Sequence, residues 1–388
     1  MLDSFLRQVT KDSYGPINLL DKTQHPAVVL KFHDAFSVLG WGRMPDTLQG
    51  RGKVNAYLFS KWNGLVQSEA AWKQYLKSPD SLAFRKACAS VQQSGSMSSA
   101  LNELAETFPI ANTFLGALGE VDFKELEDKK PLPKEKLISP EVYLSRPPET
   151  IPMIYPVSEF ISEEKTPQAT VMGRAVWNQS IFRSQSGTKP LPFEFLCHYR
   201  LTESSLKRLK VDSIALPKTA SLQTLQAGVT WDFPVIELIL TQNPYEKRIG
   251  LSEALWMTGM QPDALQKAML SAAWISSFIR QPIKKATLNA LKIRFALKDD
   301  GTLVLNDNFT LDDFYLEKDG HSLHPDSALD FYQKTSWLES VLHARQHSDT
   351  FGLSEWKRQV SEPAPFLDAK VKAKLEQDQQ ELLKCLSE

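Results

Sequence analysis

The stretch Leu291–Asp313, LKIRFALKDDGTLVLNDNFTLDD, leaves little room for anything but a β-hairpin that carries an acidic cluster to its far end. Leu291, Ile293 and Phe295 alternate with Lys292 and Arg294, the period-two pattern of a half-buried strand. Asp299-Asp300-Gly301 is a turn signal, and Thr302–Leu305 starts the return strand. Asp307 follows that apolar run, with Asp312 and Asp313 just beyond it. A hairpin ending in carboxylates is often only a solvated loop, so its meaning rests on the rest of the chain.

Bulk properties narrow the field. With 388 residues, 42% of them hydrophobic and 10% aromatic, the chain can bury one large core or two lobes. A net charge of −1 supplies no basic field, which argues against nucleic acid or an anionic membrane as partner. Cys88, Cys197 and Cys385 are widely spaced and lack a CxxC pair, so reduced thiols are expected rather than zinc or a disulfide framework. The N-terminal MLDSFLRQVTKDSYG is too polar for a signal peptide, and no apolar run approaches the roughly 18–20 residues of a membrane-spanning helix. These features point to a cytoplasmic protein.

Along the chain, Ala27–Phe32 suits a short buried strand, and Gly40-Trp41-Gly42 and Gly50-Arg51-Gly52 punctuate a loop. Helical spacing follows over Val54–Val66, Glu69–Lys77, Ser81–Val91 and Ser99–Thr107. Residues 117–150 are charged and proline-containing, as in an exposed insertion or linker. Strands are expected over Ala169–Trp177, Phe193–Tyr199 and Val235–Leu240. Helices are expected over Ser252–Met257, Pro262–Ile279, Ser327–His347 and Asp368–Leu386. Strands and helices do not alternate regularly, so the expected class is α+β. The division expected is a lobe over 1–116, an insertion over 117–190, a second lobe with the hairpin over 191–347, and a helical extension over 348–388.

Several separated segments, in order, resemble the SAICAR synthetase (phosphoribosylaminoimidazole-succinocarboxamide synthase) family in its longer form. Lys11-Asp12-Ser13-Tyr14 is similar to that family's K-D-x-Y, and Asp34–Gly42, DAFSVLGWG, to D-R-x-S-V-F-D-W-G. Met44-Pro45-Asp46 and Gly50-Arg51-Gly52 resemble M-P-D and G-K-G, and Pro109–Gly116 resembles G-I-x-T-H-F-L-G. Leu191-Pro192-Phe193-Glu194 with Ser204-Ser205 looks like L-P-x-E-x-x-x-R-N followed by G-S-S. Phe233–Glu237 resembles P-x-x-E, the hairpin resembles the K-x-E-F and L-x-D-E pair, and Asp330-Phe331-Tyr332 with Trp337 resembles the terminal-helix pattern.

The resemblance implies a two-lobed fold with antiparallel sheets and an ATP-dependent ligation. In it, ATP with Mg²⁺ activates the carboxylate of an imidazole ribonucleotide, and the amine of aspartate displaces phosphate. It carries Lys11 and Asp34 to the nucleotide, Lys292 and Asp307 to catalysis, and Asp307 to the metal. Ser37, His198, Arg200, Ser204 and Ser205 fall on the substrate side. The implied partners are these small molecules, with a homo-oligomer left open.

Departures from the family pattern share a direction. Arg294 stands at the metal-binding glutamate, Asn308 beside Asp307 replaces a glutamate, and Tyr315 and His198 take the places of phosphate-binding arginines. Glu203 replaces a glycine, Gly40 an aspartate, and Arg7–Thr10 lacks the nucleotide-loop glycine. Trp41, Pro45, Gly50, Gly52 and Pro234 persist. The scaffold reads as kept and the polar site as rewritten, with Arg200 or Arg51 available as displaced cations. The alternative function is a catalytically degenerate relative that binds a ligand or partner. Elsewhere, His343 and His347 lack a third metal ligand, His321 and His324 read as loop residues, and Cys197, Trp256, Trp274 and Phe278 as packing.

Overall fold

The computed structural model describes residues 17–21, 27–32, 34–39, 41–93, 153–154, 168–171, 174–177, 189–203, 227–241, 248–306, 309–324, 328–348 and 356–387. The helix expected over Ser99–Thr107, the 117–150 linker, Lys11, Ser204, Ser205, Asp307 and Asn308 lie outside them. The α+β class holds: among the described residues the sheets are antiparallel except where Met153 and Ile154 pair parallel with Leu305 and Asn306, and the helices are separate from them.

The first strands are β1 (Ile17–Asp21) and β2 (Ala27–Lys31), an antiparallel pair. Helix α1 (Arg51–Leu58) follows, continuing through a π-helical stretch, Phe59–Asn63, and a last turn, Gly64–Val66. Gly50 starts α1 at φ +92°, a conformation that favours glycine. Helices α2 (Glu69–Leu76) and α3 (Pro79–Gln93) come next, α2 with Ser68 accepting a hydrogen bond from the Ala71 N–H at 3.2 Å. Short strands β3 (Met153–Ile154), β4 (Gln168–Val171), β5 (Arg174–Trp177) and β6 (Lys189–Pro190) lead into the main sheet. The strand expected over Ala169–Trp177 is therefore two, and β4 and β5 pair antiparallel with Gln168 opposite Trp177.

The main sheet contains β7 (Phe193–Arg200), β8 (Thr230–Leu240), β9 (Arg248–Ile249), β10 (Thr287–Ile293), β13 (Phe314–Lys318) and β14 (His321–Ser322). Its order is β14-β13-β10-β7-β8-β9, antiparallel throughout. Strand β8 begins earlier than Val235, because the register slips between His198 and Arg200 and lets Pro234 sit in the bulge, where its missing N–H costs no ladder bond. A second sheet, β3-β12-β11-β6, uses β11 (Phe295–Leu297) and β12 (Leu303–Asn306). The expected hairpin is thus divided: Leu291–Ile293 belongs to the main sheet, and only β11 and β12 form the hairpin. Gly301, at φ +81°, makes the turn, and Asp300 accepts the Thr302 N–H at 2.8 Å. Arg294 lies at the crossing between the sheets, its carbonyl accepting the Asn306 N–H at 2.9 Å.

Alternation along β7 sends Phe193, Phe195, Cys197 and Tyr199 into the core with Leu291 and Ile293 of β10. Against that face lie α4 (Leu251–Thr258) and the long α5 (Pro262–Arg280). The apolar stripe on α5, Leu265, Met269, Ala272, Ile275 and Ile279, is buried. Its other side is buried too: Trp72 stacks on Phe278 with ring centroids 4.1 Å apart and meets Trp274 at 5.5 Å. A smaller core gathers Phe36, Val38, Met44 and Leu48 with Tyr332, Trp337, Val341, Trp356 and Leu375.

The helix expected over Ser327–His347 is two, α6 (Leu329–Tyr332) and α7 (Ser336–Gln346). Thr335 parts them: its hydroxyl donates to the Tyr332 carbonyl at 2.7 Å and accepts the Leu338 N–H at 3.3 Å. The last helix, α8 (Ala369–Ser387), docks on the same chain through Leu375, Leu382 and Leu386. Among the described residues no helix is long and apolar enough to cross a membrane.

Candidate functional site

The face of the main sheet turned away from α5 gathers the sheet's charged side chains among a few apolar ones, because alternation sends them opposite to the core residues. Along β7 it carries Glu194, Leu196, His198 and Arg200; register sets Leu196 beside Glu237 of β8 and Lys292 of β10, and Ala290 of β10 beside Tyr315 of β13.

Two carboxylates and two cations meet where the chain crosses between sheets. Lys292 Nζ lies 3.5 Å from Glu194 Oε1. Arg294 Nη2 and Nε reach Glu194 Oε2 at 3.0 and 3.1 Å, and its Nη1 reaches Asp313 Oδ1 at 3.0 Å. Asp313 Oδ2 accepts the Thr310 N–H at 2.8 Å and its hydroxyl at 3.0 Å, closing a capping box. The Glu194 and Asp313 side chains are 8% and 2% exposed, and those of Lys292 and Arg294 22% and 27%. Burial alone would raise the Glu194 pKa, but Lys292 and Arg294 beside it prevail and hold it below the usual carboxylate value. Burial opposes the charge on Lys292, yet Glu194 more than offsets this, and its pKa stands above the ordinary lysine value.

Around this cluster the other charges are also matched. His198 Nε2 and Glu237 Oε2 are 2.5 Å apart, both buried, with Arg248 Nε 3.9 Å from the second Glu237 oxygen. Arg200 pairs with Glu317 at 2.7 Å and donates to the Gly228 carbonyl, and Asn289 donates to the other Glu317 oxygen at 3.0 Å. Tyr315 and His324 stack at 3.9 Å with 7° between their planes, and Lys292 Nζ lies 5.6 Å from the Tyr315 ring centroid. Arg51 Nη2 contacts both oxygens of Asp312 at 2.7 Å, and the Asn55 side-chain oxygen accepts the Leu311 N–H at 2.9 Å.

Of the residues singled out in the sequence, Lys292, His198 and Arg200 share this face. Asp34 and Ser37 lie in the loop before α1: Asp34 Oδ1 accepts the Gly52 N–H at 2.8 Å, and Ser37 Oγ accepts the Gly42 N–H at 3.3 Å. Arg51, weighed as a replacement cation, is fully buried and committed to Asp312. His324 lies in the loop after β14, as expected, but is only 4% exposed, packed against the Tyr315 ring, whereas His321, also expected in a loop, pairs within β14. Nothing in DGHSLHP signals that stack. Asp313, noted only as part of an acidic cluster, is a partner of Arg294, and its signal is the Thr-x-x-Asp capping spacing at Thr310. Cys197 is a core thiol, pushed up to about 12 by burial.

No protein-family model matches the chain. It is similar in sequence to SAICAR synthetases: 193 residues are 24% identical to a protein of Archaeoglobus fulgidus named as a candidate phosphoribosylaminoimidazole-succinocarboxamide synthase. The match takes in 49% of this chain and 56% of that relative, so the chain spans just over half of the relative's length. Among solved structures, the SAICAR synthase of Saccharomyces cerevisiae, complexed with SAICAR, aligns with 93% of this chain and 88% of its own at 11% identity and a TM-score of 0.40. The corresponding synthase of Ehrlichia chaffeensis aligns with 92% of this chain and 98% of its own, at 11% identity and a TM-score of 0.37.

The Mg²⁺ that the resemblance implies can be tested against the donor set. Magnesium needs carboxylate oxygens free to enter an octahedral shell with waters. Glu194 and Asp313 already receive Lys292, Arg294 and Thr310. Among the described residues no group of three or more His, Cys, Asp or Glu is arranged to hold a metal ion. The described donors do not fit Mg²⁺.

Proposed function

We propose that this chain is a SAICAR synthetase-like, ATP-dependent carboxylate–amine ligase acting on a purine-pathway ribonucleotide or an altered relative of it. The γ-phosphoryl group of ATP passes to the substrate carboxylate, leaving ADP. The amine of aspartate then attacks the acyl carbon, the bond to the phosphate oxygen breaks, and phosphate and a proton leave with an amide in place. Lys11 and Asp34 serve the nucleotide. Ser37, His198, Arg200, Ser204 and Ser205 serve the substrate, and Asp307 stands with Lys292 at the reacting carboxylate.

The observation that carries this reading is Lys292: a lysine held charged between Glu194 and Tyr315 on a buried polar face. A fixed cation in a preorganised site that excludes most water stabilises the negative charge of an acyl phosphate far better than bulk water does. Its test is phosphate release measured with ATP, aspartate and carboxyaminoimidazole ribonucleotide. Release that needs all three supports the ligase; calorimetry that finds no ATP binding at millimolar nucleotide removes it.

A second reading has its own support. Arg294 ties up both Glu194 and Asp313, as suits a chain that keeps the scaffold but has lost catalysis and binds a ligand or partner instead. ATP binding without phosphate release under any combination of substrates would select it.

A further inference from the structure

We infer that Arg294 is a resident cation, a covalently attached positive charge that serves two buried carboxylates and makes this cluster independent of any divalent metal. The inference concerns which cation the cluster accepts and stands whether or not the ligase reading does.

Donor placement and charge both lead to it. Each of the four oxygens of Glu194 and Asp313 already has a donor. Glu194 Oε1 faces Lys292 Nζ at 3.5 Å, and Glu194 Oε2 takes Arg294 Nη2 at 3.0 Å. Asp313 Oδ1 takes Arg294 Nη1 at 3.0 Å, and Asp313 Oδ2 takes the N–H and hydroxyl of Thr310. Among the described residues the two carboxylates and two cations sum to zero, so a divalent ion would bring an unmatched double charge to them in a buried setting. The guanidinium fork spans both acids at once, which a lysine ammonium reaches less well.

The backbone fixes the fork in place. Arg294 sits between β10 and β11, where the chain leaves one sheet for the other, with its carbonyl held by the Asn306 N–H. Arg294 is therefore a positioning residue: through Glu194 it sets where Lys292 stands and keeps that lysine's counter-charge shared.

Mn²⁺ titration followed by the electron paramagnetic resonance of the free ion tests this on the full chain. The wild type and Glu194→Gln are expected to bind Mn²⁺ alike, because the cluster holds none. Arg294→Met is expected to gain a Mn²⁺ site at least tenfold tighter than any in the wild type, and Arg294→Lys, which keeps the charge, is not. Wild-type Mn²⁺ binding that weakens tenfold or more in Glu194→Gln overturns the inference, as does a folded Arg294→Met that gains no site. If circular dichroism shows Arg294→Met unfolded, the wild type against Glu194→Gln decides.

Discussion

Arg51 and Asp312 are joined by two contacts of 2.7 Å from one guanidinium nitrogen, across 261 residues of sequence, with the arginine fully buried and the aspartate side chain 42% exposed. This pair, with the Asn55 contact to Leu311, ties α1 to the segment that holds Asp313. Arg51→Lys keeps one cationic nitrogen but shortens the side chain that carries it to Asp312. It is expected to cost about 1–3 kcal/mol of stability, the lower end being set by the solvent that Asp312 already sees. Equilibrium urea unfolding checks it, and a midpoint equal to the wild type's would show the pair to be idle.

The charge cluster should leave a mark on the pH dependence of stability. The folded-state pKa of Glu194 lies below its ordinary value of 4.5, so its contribution is full above 4.5 and is lost as pH falls through the lower folded value. Lys292 lies above its ordinary 10.5, so its contribution is full below 10.5 and is lost as pH rises further. Glu194→Gln leaves Lys292 without its carboxylate and Arg294 with Asp313 alone, and is expected to cost roughly 2–4 kcal/mol near neutrality, less than a fully buried pair would. It is also expected to shallow the loss below pH 4.5. Thermal midpoints of both proteins across pH measure this, and parallel acid limbs would count against it.

Thr335 separates two helices by capping the second. Thr335→Ala is expected to cost about 1 kcal/mol and to fray the first turn of α7. Hydrogen exchange at the Leu338 amide reports the fraying directly, and unchanged protection would place the helix break elsewhere.

Lys292→Met removes the cation proposed to face the reacting carboxylate. If the chain is a ligase, phosphate release is expected to fall at least about a hundredfold, in the range seen when a single stabilising group is lost. ATP binding is expected to remain. Turnover that survives the substitution would move the reacting carboxylate away from β10.

The polypeptide alone determined the local pattern. The alternation of Leu291, Ile293 and Phe295 with Lys292 and Arg294 is a strand with one apolar and one charged side because extended residues point alternately to opposite faces. The Asp299–Gly301 turn and the helices α5 and α8 followed in the same way, each from neighbours within a few positions. The Thr335 cap was also local, but the apolar spacing running across it masked the break.

Tertiary structure decided which distant groups meet. Arg294 reads as a lone cation replacing an acid until folding brings Glu194, a hundred residues earlier, and Asp313, nineteen later, to its fork. The sequence places His324 in its loop but not the Tyr315 ring stacked on it, and the expected hairpin divides because β10 finds β7 and β13 while β11 finds β6. The physical reason is common to all of them. Backbone preferences are set by adjacent residues, whereas a buried charge is tolerated only where a partner from elsewhere in the chain arrives to neutralise it.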